Sequence, residues 1–86
     1  MYTQNEIRTH ILNHISDQSG LSIKEIDDAR NFVTEGLLDS FATITLIISL
    51  ESAFGIIFDP VELADESVQT VGGLASLVIR KQQDRE

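Results

Sequence analysis

Three short patterns in this 86-residue chain hold residue types that could do chemistry. The first is Asp39-Ser40, which opens an apolar-rich run ending at Phe54. A serine hydroxyl becomes a catalytic nucleophile only when a nearby base takes its proton. The sequence places no histidine or other base beside Ser40, so no catalytic residue is expected. Two uses remain: a helix cap, or a point at which another enzyme attaches a group. The second pattern is His10 and His14, four residues apart, a spacing that can put two metal ligands on one helix face. No third ligand stands nearby, and neither residue belongs to the Ile7-Ile11-Ile15 stripe. Both are expected to be surface histidines, and no metal site is expected. The third is Gly72-Gly73. No strand precedes it and no Lys-Ser or Lys-Thr follows, so it is not a phosphate loop; the pair is expected to permit close helix packing.

The elements that must position Ser40 are legible from caps and periodicity. Thr3-Gln4-Asn5-Glu6 forms a capping box, and Ile7, Ile11, Leu12 and Ile15 follow at helical spacing. The first helix is therefore expected to reach about Ser16, closed by Ser19-Gly20. Residues 21–39 read as a long loop: Leu21, Ile23 and Ile26 allow a short helical turn, and Glu35-Gly36 breaks any longer period. Phe32, Val33, Leu37 and Leu38 are expected to anchor this loop to the core. A second helix runs from Ser40 to Phe54, with Gly55 where a left-handed residue is wanted. Asp59-Pro60-Val61-Glu62 opens a short third helix with its own capping box. Thr70 caps a last helix through Leu74, Leu77 and Val78, with Arg80 and Lys81 near its negative end. The expected fold is all-α: a small four-helix bundle, the third helix short and the first loop long.

The second helix has more apolar surface than a core face needs. Stepping about 100° per residue, Leu46, Ile47, Leu50 and Phe54 fall on one side. Phe41, Ile44 and Ile48 form a stripe nearly opposite. Such a helix is either wholly buried or presents one stripe to a partner, and four short helices can hardly enclose one of their number.

Composition narrows the function classes. The chain suffices for a single domain over 1–86, and a domain this small buries only about 60–65% of its unfolded surface. It has no cysteine, so neither disulfides nor cysteine-ligated zinc supplement the core. Its formal charge of −8 repels nucleic acid phosphates and anionic lipid headgroups. No apolar run approaches the roughly 20 residues of a membrane span. Met1 to Glu6 lacks the form of a secretion signal. A cytoplasmic monomer is expected.

The segment Glu35-Gly36-Leu37-Leu38-Asp39-Ser40-Phe41 resembles the attachment motif of the acyl carrier and peptidyl carrier protein family. The resemblance continues through Phe54-Gly55, the apolar Ile56-Ile57-Phe58 connection, the short third helix and Thr70-Val71, and so covers essentially the whole chain. It implies that Ser40 bears a covalent 4′-phosphopantetheine arm, derived from coenzyme A, that holds cargo as a thioester. It also implies a phosphopantetheinyl transferase that contacts Asp39, an adenylating ligase or acyltransferase that loads cargo, and downstream condensing or transfer enzymes. Partner contacts are expected at Asp39, Phe41, Ile44, Ile48, Glu51 and Glu35. The Gly-Leu-Leu-Asp-Ser-Phe spelling looks most like D-alanyl carrier proteins and other free-standing aminoacyl carriers. Fatty-acid carriers usually place leucine after the serine and line the second helix with acids. Here Ala42, Thr45, Ser52 and Ala53 stand instead, and only Glu51 remains. An acyl carrier of fatty-acid or polyketide synthesis is the alternative cargo class; an unmodified helical interaction domain is the alternative of a different kind.

Overall fold

Local capping sets the helix boundaries in the computed structural model, which describes residues 2–84. Residues 1, 85 and 86 of the expected 1–86 domain lie outside them. Helix α1 (Gln4–Ser19) begins where the Thr3 hydroxyl accepts the Glu6 amide at 3.1 Å and the Glu6 carboxylate accepts the Thr3 amide at 3.0 Å. These two bonds hold the Glu6 carboxyl below its usual range, the backbone bond contributing most. The helix runs one turn past the expected end and stops at Gly20. Helix α2 (Ser40–Phe54) ends at Gly55 in the left-handed conformation. Helix α3 (Pro60–Leu63) carries the expected Asp59–Glu62 box. Helix α4 (Val71–Asp84) starts at Thr70, whose hydroxyl accepts the Gly73 amide at 3.0 Å. These four α-helices, with no strand among the described residues, make a small all-α bundle.

The core lies between α1, α2 and α4. Ile7, Ile11, Leu12 and Ile15 meet Ala42, Leu46, Leu50 and Phe54 from α2, and Val71, Leu74, Leu77 and Val78 from α4. Two polar ties close it. Gln82, buried, donates to the Tyr2 carbonyl and accepts the Tyr2 amide, joining the two ends of the described chain. Lys81 Nζ lies 2.8 Å from Glu62 Oε1 and over the Phe58 ring, holding α3 to α4.

The long loop is pinned rather than free. It contains one 3₁₀ turn, Ile23–Glu25, and a second 3₁₀ turn, not expected, covers Glu66–Gln69. The Phe32 amide donates to the Gln69 carbonyl at 2.9 Å, the Asn31 side chain donates to that of Gln69 at 3.0 Å, and the Gly72 amide donates to the Asp28 carbonyl at 3.0 Å. Phe32 and Leu38 are buried as expected and Leu37 packs against the core. Val33 does not: it is exposed, because Asn31 draws the Val33 and Thr34 amides into a turn that carries this side chain outward. Ile23 is likewise exposed, leaving Ile26 as the apolar anchor of that turn. Gly36 has φ +73°, the left-handed conformation that lets the chain turn into Leu37 and Leu38. Gly73 serves close approach: a Cβ there would overlap the Ser67 carbonyl oxygen and stand 2.8 Å from its carbon.

Candidate functional site

Ser40 is exposed and is the first residue of α2. Asp39, the N-cap, accepts the Ala42 amide on Oδ1 at 2.7 Å, and its carbonyl accepts the Thr43 amide and hydroxyl. The amides of Ser40 and Phe41 precede the first intrahelical acceptor and are left for water or an anion. An open groove of about 570 Å³ flanks Ser40, with Val33, Gly36, Asp39, Thr43, Ile44 and Gln69 on its walls. Val33, Thr43, Ile44 and Gln69 also line a second, apolar groove of about 340 Å³ that continues toward Ile48, Leu63 and Val68. The two share a wall, so a chain leaving Ser40 can follow α2 into an apolar trough.

The expected partner residues separate into two kinds. Phe41, Ile44 and Ile48 are 75%, 57% and 57% exposed, which excludes the wholly buried arrangement of α2. On the core side Ile47 is only half-buried, at the rim of the apolar groove. The two flanking acids have ties of their own. Glu51 is half-buried, and its Oε2 accepts the Phe58 amide at 2.9 Å, which folds the Gly55–Phe58 connection back on α2. Glu35 pairs with Arg30 across the loop turn. Neither is the free surface charge that a row of acids would present. Asp39 remains exposed beside Ser40.

The histidines depart most from expectation. Both are half-buried and both face α2. His10 Nε2 lies 2.7 Å from the Ser49 hydroxyl, with its ring edge-on to Phe54. His14 Nε2 lies 3.2 Å from the Ala42 carbonyl and 3.3 Å from the Thr45 hydroxyl. Burial, and secondarily the nearby His14, holds the His10 imidazole below its ordinary value. Falling outside the Ile7-Ile11-Ile15 stripe predicts a surface position for both. In fact the stripe meets the hydrocarbon core while the adjacent flank of α1 meets the polar flank of α2. Among the described residues no three His, Cys, Asp or Glu side chains are grouped to hold a metal, and no helix is long and apolar enough to cross a membrane.

Two groove residues escaped the sequence. Thr43 is three residues after Ser40 and so shares its helix face, a signal that was available. Gln69 reaches the site only through the loop contacts of Asn31 and Phe32, and nothing local marks it.

Residues 9–78 match the family described as the phosphopantetheine attachment site. That span holds Ser40, all of α2 and α3 and the core half of α4, and the chain belongs to this family. It is a phosphopantetheine-bearing carrier protein, of a class that is typically non-catalytic and works with a phosphopantetheinyl transferase and biosynthetic enzymes. No curated protein matches the chain at a significant level. The surroundings of Ser40 fit a phosphodiester-linked arm. The hydroxyl is exposed, the groove beside it is open, and the amides at the positive end of a fifteen-residue helix favour an anion. When bound, the arm supplies the thiol that this cysteine-free chain lacks.

Proposed function

We propose that Ser40 is the attachment point of the 4′-phosphopantetheine arm. In this reading the arm holds an activated amino acid or other small carboxylic acid as a thioester, loaded in trans by an adenylating ligase. The observation that carries the assignment is the position of Ser40, exposed as the first residue of α2 and bracketed by a cap that occupies the Ala42 amide but not its own. Asp39 fixes the start of the helix and faces the transferase; Phe41, Ile44 and Ile48 form the apolar surface on which loading and transfer enzymes dock. Tethering then raises the cargo's effective concentration at each docked enzyme.

The small-cargo reading, with D-alanyl carriers the nearest in motif, rests on the Phe41 spelling and the scarcity of free acids on α2. Glu51 and Glu35 being tied to Phe58 and Arg30 supports it further. The apolar groove that runs from Thr43 to Leu63 favours a second reading, a carrier of longer acyl chains, because it offers such a chain shelter. Competition separates the two. Holo-protein is offered amino acids with adenylating ligases, and fatty acids with acyl-carrier synthetases. Better charging by the first group supports small cargo; efficient charging and elongation by the second promotes the acyl reading. Peptide mapping of the modified protein tests the site itself, and an arm on any peptide lacking Ser40 removes the assignment.

A further inference from the structure

Helix α2 carries three large apolar side chains on each of two opposed sides, Leu46, Leu50 and Phe54 within the core and Phe41, Ile44 and Ile48 outside it. Apolar burial is non-directional and roughly proportional to area, so it discriminates poorly between this roll of the helix about its axis and the opposite one. Directional contacts are needed, and the α1–α2 seam supplies them. Thr45 and Ser49, one turn apart, occupy one flank of α2 between the stripes. His14 and His10, also one turn apart, meet them from α1. The pairing is antiparallel: His10 with Ser49, at 2.7 Å, and His14 with Thr45 and the Ala42 carbonyl, at 3.3 and 3.2 Å. A carbonyl only accepts, so His14 carries a proton on Nε2. Rolling α2 half a turn takes both hydroxyls away from α1. Sliding it one turn along its axis sets Phe41 opposite His14 or Ala53 opposite His10, leaving a half-buried imidazole nitrogen without a partner, which is costly.

We propose that His10 and His14 are positioning residues that fix the roll and register of α2, and thereby determine that the Phe41–Ile44–Ile48 stripe is the one presented to partners. The positioning is a property of the free protein; only its consequence for docking rests on the proposed function. Buried polar contacts of this kind add little net stability and can specify one arrangement among several.

The test pairs structure with kinetics. His10→Leu/His14→Leu replaces both contacts with apolar groups; His10→Gln/His14→Gln retains an amide in place of each imidazole. The Leu pair is expected to keep its helix content while the α2 amide resonances broaden or double in ¹H–¹⁵N spectra. The Gln pair is expected to restore a single set. Thr45→Val/Ser49→Ala removes the two hydroxyl contacts from the other helix and leaves His14 only the Ala42 carbonyl, and doubling of the α2 resonances is again expected if the Leu pair fails to fold. The loading enzyme's KM for the holo-carrier should rise as the inverse of the correctly rolled fraction, about fivefold if one molecule in five retains the native roll, with kcat little changed. A single, wild-type-like set of α2 resonances in the Leu pair, or in Thr45→Val/Ser49→Ala, overturns the proposal. Doubled resonances with an unchanged KM sustain the positioning role and count instead against docking on the stripe.

Discussion

Replacing Ile48 by aspartate separates a docking surface from a core face. Ile48 is 57% exposed, so about two-fifths of its side chain is covered by the protein itself. Full burial of such a side chain is worth about 1.5–3 kcal/mol, so Ile48→Asp removes roughly 0.6–1.2 kcal/mol from the fold. That is a small part of the 5–15 kcal/mol a domain commonly has, and the variant should remain folded by circular dichroism. A docked enzyme would cover the remaining three-fifths, worth roughly 0.9–1.7 kcal/mol. The unpaired carboxylate then adds its own desolvation cost. Since each 1.4 kcal/mol is about tenfold, the loading enzyme's KM for this carrier should rise by about tenfold or more. Raising salt from about 50 to about 300 mM should cost less, because an exposed ion pair is worth about 0–1 kcal/mol before screening, and Glu35 and Glu51 are already engaged within the protein. The assay is KM for loading at both salt concentrations, with melting curves beside it. Leu46→Asp, at a fully buried position, should unfold and serves as the contrast. An Ile48→Asp protein that unfolds places Ile48 in the core. A salt effect larger than that of the mutation gives docking to charge.

Two further outcomes follow from the packing and the seam. Gly73→Ala should destabilise by about 2 kcal/mol or more, because the new Cβ meets the Ser67 backbone rather than a movable side chain, whereas Gly72→Ala, whose Cβ would stand 3.4 Å from the Asp28 oxygen, should cost clearly less; equal melting temperatures for the two would refute the close approach. His10 titrates below its ordinary value when folded, so the unfolded chain takes up its proton first. This contribution is intact above about pH 6.5 and is lost as pH falls through the lowered folded value. The lowered carboxyls of Glu6, Glu62 and Asp65 act only further down, from the ordinary carboxylate range downward through their lowered folded values. Melting temperature should therefore decline between about pH 7 and about pH 5, less steeply in His10→Gln, and a flat wild-type profile would refute the burial.

Local signals were readable in the sequence and tertiary ones were not. Thr3–Glu6, Asp59–Glu62, Gly20 and Gly55 act over three or four residues, and each stands where the sequence put it. The two stripes of α2 were legible because helical periodicity is local too. The exposed position of Val33, the tie from Glu51 to Phe58, the Glu66–Gln69 turn and the burial of both histidines all depend on what another segment supplies. His10 in particular looked like surface on its own helix and is covered only because Ser49 and Phe54 arrive from α2. The Asp39-Ser40 pair at the start of α2 was legible because its cap is local, but the groove beside it was not, since Gln69 reaches it from the far end of the loop contacts.

The central claim is that this carrier is modified at Ser40, and intact mass reads it directly. Wild type and Ser40→Ala are each incubated with coenzyme A, magnesium and a promiscuous phosphopantetheinyl transferase. One phosphopantetheine on the wild type and none on the variant is expected. The two proteins should have similar helical circular dichroism, because Asp39 rather than Ser40 provides the side-chain cap of α2. An arm on Ser40→Ala, or none on the wild type, would contradict it.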